Sequence, residues 1–236
     1  MHVQSAFSED DEEVLCGLIR RAPLATLIVH TDQIEANHLP LMLGSNAGQR
    51  VLRGHIPKAN DLWQRLDGSV AGLAVFQGPQ AYITPAWYPS KREHGKVVPT
   101  WNYVIAHVRG VLRAVHDRQW LRQQVNDLTN QQESVATTSA TPWQVSDAPD
   151  DYIEKLLRTI VGLELAVESM VGKWKLSQNK SARDHAGVSA GLLERGSSND
   201  IAMTELMTEL MTEQTAEQMA EPIEGAEDAS SSHPKQ

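Results

Sequence analysis

The sequence predicts a mainly β protein with peripheral helices, an α+β arrangement built on an antiparallel barrel. Three observations carry this. Short strand-like runs recur from Leu24 to Val115 at turn-punctuated intervals, amphipathic helical stretches precede and follow that series, and a cleanly alternating segment closes it after residue 160.

Taken in order, 8–21 reads as a helix. Ser8 and Asp10 are candidate caps, acids fill the first turn, and Val14, Leu15, Leu18 and Ile19 make one apolar face ahead of Pro23. Strand-like runs follow at 24–30, 35–43, 50–55, 70–77 and 80–84, and a long run at 104–115 continues them. Thr31-Asp32, Gly44-Ser45-Asn46, the insert 57–68 and Gly78-Pro79 separate them, each rich in residues that favour turns. Two helices are then expected. The first, 119–133, turns Trp120, Leu121, Val125 and Leu128 inward; the second, 150–161, does the same with Tyr152, Ile153, Leu156, Leu157, Ile160 and Val161. A polar loop, 134–141, joins them. From 162 to 170, Leu163, Leu165 and Val167 alternate with Glu164, Ala166 and Glu168, the pattern of a half-exposed closing strand.

The 236 residues suffice for one domain with a real core, 1–195, and an appendage, 196–236. The appendage repeats MTEL, MTEL, MTEQ, TAEQ, MAEP, and is read as acidic, low in complexity and mostly disordered, with transient helix along a Met203, Met207, Met211, Met219 stripe. Its nine acids against Lys235 carry −8 of the chain's −9, so the body stands near −1. A near-neutral body argues against a broad nucleic-acid footprint, which needs a strongly basic face. The single cysteine, Cys16, excludes an internal disulfide and a cysteine-rich metal site, and its place on an apolar helix side makes it a buried, inert thiol. No secretory leader pattern and no membrane-length apolar window occur, so a cytoplasmic, soluble protein is expected.

Three clusters suit chemistry. At 53–60, Arg53, His55, Lys58 and Asn60 gather donors around a strand-end turn, a combination that can hold a phosphate. At 173–181, Lys173, Lys175, Ser177 and Gln178 surround Trp174 and suit an anion together with a planar ring edge. The stretch 76–103 is the oddest part of the chain. It places Trp87, Tyr88, Trp101 and Tyr103 where a solvated hairpin would carry small polar residues, and adds Lys91, His94 and Lys96. Its aromatics could wall an isoalloxazine or a nucleobase, with Gln77, Thr100 and Asn102 reading polar edges, or could plug a barrel end. Dinucleotide-binding, P-loop, zincin and nucleophile-elbow motifs are missing, and no histidine pair has ligand spacing, so neither a metal site nor assigned catalytic residues are expected.

Five motifs, in order, resemble the PaiB family of FMN-binding negative transcriptional regulators: EANHLPLML at 35–43, LRGHIPKAND at 52–61, VFQGPQAYITPAWYPSK at 75–91, HGKVVPTWNY at 94–103 and GKWKLSQNKS at 172–181. The likeness runs from about residue 1 to 193. It implies an FMN-binding split barrel related to pyridoxamine-phosphate oxidases and flavin reductases, a homodimer with FMN near the subunit interface. By analogy, Arg53, His55, Lys58 and Asn60 would lie near the phosphate. Thr100, Trp101 and Asn102, with Gln77, would approach the ring, and Lys173, Lys175, Ser177 and Gln178 would come from the partner or the chain end. The function implied is a repressor sensing flavin or redox state and acting on DNA directly or through a partner. Against it stand an FMN-dependent NAD(P)H oxidoreductase and a haem-binding split barrel in which His185 would ligate iron. Neither expected helix ends in a concentrated basic recognition surface.

Overall fold

The computed structural model describes residues 1–136 and 141–220. Its elements are β1 (Ser8–Glu9), α1 (Glu12–Arg21), β2 (Leu24–His30), β3 (Ile34–Pro40), β4 (Met42–Asn46), β5 (Gln49–Pro57), β6 (Val70–Ile83), α2 (Lys91–His94), β7 (Thr100–Val115), α3 (Arg118–Ala136), α4 (Asp150–Leu157), β8 (Ile160–Lys175), α5 (Ala182–Arg195) and α6 (Ser198–Ala220). They fall into two compact units, Met1–Gln80 with Trp101–Lys175, and Ala81–Thr100 with the chain from Leu176 onward.

In the first unit the strand order is β3-β2-β6-β7-β8-β5-β4, with β1 paired to β8. Strands β3 and β4 stand at opposite ends of that order yet are separated only by Leu41. A flat sheet cannot satisfy both facts, so the sheet curls and closes on itself. Gly54 lies at the closure, where a β-carbon would come within 2.6 Å of the Pro40 carbonyl oxygen. The pairings of β2 with β3 and β6, of β4 with β5, and of β8 with β1, β5 and β7 are antiparallel.

Alternation supplies the interior. Leu27, Leu52, Ile56, Ala74, Phe76, Val104, Ala106, Val108, Leu112, Leu163 and Leu165 are all buried. Gly72 leaves room there for Leu165 and Leu27. Helix α1 starts at Asp11, whose carboxylate accepts from the Glu13 and Val14 amides, and buries Leu15, Cys16, Leu18 and Ile19. Burial raises the Cys16 thiol's pKa, in keeping with an inert side chain. A second apolar cluster, Leu121, Val145, Ile153 and Leu157 with Trp120 against it, joins α3 to α4.

Strand β2 falls where the sequence placed it, and several other elements differ. Ser8 and Glu9 pair with β8 instead of starting a helix. The run 35–43 breaks at Leu41, because the closing chain changes edge there. Gly78-Pro79 does not divide β6, which runs through both residues; the pairing with β2 ends at Val75, so Pro79 interrupts no bond on that side. Helix α4 stops at Leu157, Ile160 and Val161 open β8, and Tyr152 and Leu156 face outward at 53% and 44% exposure. Residues 134–136 of the expected loop are helical, and 137–140 lie outside the described residues.

In the second unit, Ser181 caps α5, and Asp184 accepts from the amide and hydroxyl of Ser90. The Trp87 ring lies on α5 where Gly191 leaves it space, and the Arg195 guanidinium stacks 5.0 Å from its centre. Arg195 also donates to Asp200 and to the Tyr82 carbonyl oxygen. The segment expected to be mostly disordered from 196 is instead helical through Ser198–Ala220, with Met203 and Met207 fully buried in this unit. Packing supplies what propensity could not, since a helix of this kind is marginal alone. The expectation for 221–236 lies outside the described residues.

Candidate functional site

On β5, Gly54 and Ile56 are buried while Arg53 and His55 project from the outer face, which α3 covers. Arg53 donates from Nε to Glu164 Oε2 at 2.8 Å and from Nη2 to the Ser45 carbonyl oxygen at 2.9 Å, and lies 5.7 Å from the Trp120 ring centre. Arg113 and Asn46 donate to the other Glu164 oxygen. Glu164 is 2% exposed. Burial alone would raise its pKa, but the hydrogen bonds from Arg113, Arg53 and Asn46 outweigh that and hold it below the usual carboxylate range. The expected half-exposed face of β8 is therefore, at Glu164, the covered seat of an ion network.

His55 Nδ1 meets Gln124 Oε1 at 2.8 Å. A recess of about 80 Å³ adjoins them, lined by Met42, Gly44, Arg53, Trp120, Gln123 and Gln124 among others. Gln124 Nε2 is buried without a partner, and turning the amide over would leave Oε1 unmatched instead. The sequence reads Trp120 and Glu164 only as parts of a helix face and a strand pattern, and gives no signal for Gln124.

The 53–60 cluster does not act as one set of donors. Lys58 is exposed at the turn, where its amide donates to the Thr159 carbonyl oxygen at 2.8 Å. Asn60 accepts from the Leu62 amide at 3.1 Å and donates to Asn37 Oδ1 at 2.6 Å, so it caps and ties the following turn.

The outer face of the β7–β8 pair is different. Asn102, Val104, Ala106 and Val108 are buried, so Trp101, Tyr103 and Ile105 point the other way, with Trp101 52% exposed. Tyr103 stands opposite Lys175 and Ile105 opposite Lys173, and the Lys173 ammonium lies 5.5 Å from the Tyr103 ring centre. Gln77 is exposed on β6, the strand beside β7. Alternation along β6, β7 and β8 thus puts two aromatics, two ammonium groups and an amide on one sheet face, with register setting Tyr103 against Lys175, while Asn102, expected to read a ring edge, is fully buried. Tyr103 joins the set because it stands directly opposite Lys175 in the ladder.

Thr100, Ser177 and Gln178 belong to the second unit. Ser177 is buried at a positive φ of 65°, and Gln178 Oε1 accepts from the Leu176 amide at 2.7 Å, so this pair shapes a turn. Trp87 and Tyr88, expected to meet a flat ligand, pack within the unit: Tyr88 is 2% exposed and the Lys180 ammonium lies 5.2 Å from its ring centre. Glu93 pairs with Arg183, and His94 Nδ1 accepts from the Lys96 amide. His185 is 7% exposed, and burial lowers its pKa. Its Nε2 is enclosed without a partner, and no metal-binding group of His, Cys, Asp or Glu occurs among the described residues.

Residues 1–169 match a family described as "Putative FMN-binding domain". An uncharacterised protein of Emericella nidulans is 31% identical over 84% of this chain and 92% of its own. The protease synthase and sporulation protein PAI 2 of Bacillus subtilis is 28% identical over 87% of this chain and 96% of its own. Among solved structures, the flavocytochrome Anf3 of Azotobacter vinelandii aligns with a TM-score of 0.51 at 11% identity, covering 73% of this chain and 72% of that one. The FAD and haem binding protein of Mycobacterium smegmatis aligns with a TM-score of 0.51 at 16% identity, covering 78% and 80%. These two show the fold, a split barrel. No helix among the described residues is long and apolar enough to cross a membrane. By the match over 1–169 and the identity to its relatives, the chain belongs to the PaiB family of FMN-binding proteins.

Proposed function

We propose that this protein is an FMN-binding negative regulator of transcription that acts in the cytoplasm as a homodimer, with its flavin against the outer β7–β8 face. The observation that carries the site is the register placing Trp101 and Tyr103 beside Lys173 and Lys175. Indole and phenol suit the isoalloxazine ring, ammonium groups suit an anionic group, and Gln77 offers a polar edge. Lys58, exposed at the β5 turn beside Thr159, stands at the far end of β8 from Lys173 and Lys175, so it reaches the phosphate of that flavin only across the interface of the proposed homodimer. When bound, the flavin supplies a reducible ring, and the residues around it orient it and exclude water.

Support for regulation comes from the resemblance of the five motifs to the PaiB family; the Bacillus relative's own name links that protein to protease synthesis and sporulation. The basic residues of α3 favour action through a partner over direct DNA contact: Arg118 pairs with Glu154, and Arg122 with Asp150 and Glu154. The haem reading lacks an exposed imidazole at His185.

The test is the visible spectrum of the purified protein with FMN supplied, followed by anaerobic NADPH, together with transcript levels after gene deletion. A stable flavin and raised transcripts are expected. Multiple-turnover bleaching would move the assignment to an oxidoreductase, and unchanged transcripts would end the regulatory part.

A further inference from the structure

Helices α5 and α6 form between them a groove of about 560 Å³, and it does not belong to the flavin site. Leu193 and Ile201 line it side by side at 57% and 44% exposure, a contiguous apolar lining. Along α6 run Thr204, Thr208 and Thr212, each hydroxyl donating at 2.9 Å to the carbonyl oxygen four residues earlier. Those hydroxyls are satisfied within the helix, so the row offers methyl groups to a visitor. Glu205 and Glu209, one turn apart, also line the groove, are exposed, and make no ion pair among the described residues.

The geometry points to a docking groove for a basic amphipathic helix of a partner protein. From Ile201 to Thr212 the apolar row spans about 16 Å, or about three helical turns. Charge selects among occupants. Helix α6 contains Asp200, Glu205, Glu209, Glu213 and Glu217 and no lysine or arginine, so a second copy laid α6 against α6 would set acid against acid. The chain's own 221–236 brings Glu221, Glu224, Glu227 and Asp228 against Lys235 and meets the same repulsion. A partner carrying Lys or Arg at helical spacing beside an apolar stripe instead gains both terms.

The test uses the full-length protein and a fluorescein-labelled 15-residue helix of Leu, Ala and Lys, with Leu on one face and Lys flanking it. Controls are a shuffled peptide of the same composition and one with Glu for Lys. Anisotropy should show the designed helix binding at least about tenfold tighter than the shuffled one. The double variant Glu205→Lys/Glu209→Lys should reverse the preference toward the Glu peptide by about tenfold or more. Both residues are exposed, so the variant should fold, and circular dichroism checks this. A second variant, Thr208→Arg, should weaken the designed helix about tenfold by filling the groove. Equal binding of shuffled and designed peptides, or an unreversed preference, overturns the proposal. So does a fall in oligomeric state on Ile201→Asp in sedimentation, which would give the groove to a second copy. Flavin content is unaffected by any of these outcomes.

Discussion

Two outer faces of the same barrel carry similar residue types and have opposite fates. On the β5–β8 face, Arg53 lies beside Trp120 and Arg113 stands nearby on β7; Glu164 engages both guanidinium groups, Gln124 meets His55, and α3 packs on β5 and β8. On the β7–β8 face, Lys173 and Lys175 lie beside Trp101 and Tyr103, all partly or well exposed. The difference teaches that a buried carboxylate decides the fate of a cationic-aromatic cluster: Glu164 ties the guanidinium groups of the first face into the fold's own ion network.

The largest effect should come from breaking the covered face. Glu164→Ala leaves two partly exposed guanidinium groups without their buried carboxylate and should cost about 1–3 kcal/mol in denaturant unfolding. A cost under about 1 kcal/mol would mean the network contributes little. Next, Lys173→Ala/Lys175→Ala should weaken FMN binding by about 10–100-fold, since charge-assisted hydrogen bonds contribute about 1.5–3 kcal/mol. Its unfolding midpoint should stay near the parent's. Lys58→Ala should weaken FMN about tenfold without loss of stability, whereas Arg53→Ala should lose stability and keep FMN affinity within about threefold; the reverse outcome would exchange the two faces.

A smaller effect separates the acid dependence of the second unit. Asp200 has its pKa lowered from 3.8 to about 2, chiefly by the Arg195 hydrogen bond. A folded value below the unfolded one adds stability above the unfolded pKa, lost as pH falls through the folded one. The stability gap between parent and Asp200→Asn should thus be constant near neutrality and narrow between about pH 4 and 2. A gap independent of pH would show that the carboxylate charge is not what matters. Smallest of all, removing 221–236 should change FMN affinity less than about twofold.

Much of the barrel was legible because apolar alternation is local. Strand β2 and the inward faces of β7 and β8 follow from it directly. The site was legible only in part. Lys173 and Lys175 were visible as a cluster, but their place beside Tyr103 depends on a register linking positions about 70 residues apart. The burial of Glu164 could not be read, because its partners Asn46, Arg53 and Arg113 stand 118, 111 and 51 residues away. Alternation alone sent it to solvent. The order of α6 was hidden for a like reason: Met203 and Met207 are buried although α6 alone reads as an acidic repeat.

The most direct measurement is hydrogen exchange of the full-length protein with and without FMN. The account predicts added protection at 101–106 and 171–176 and none across 118–127 of α3. Protection confined to 51–56 and 118–127 would place the flavin on the covered face and contradict it.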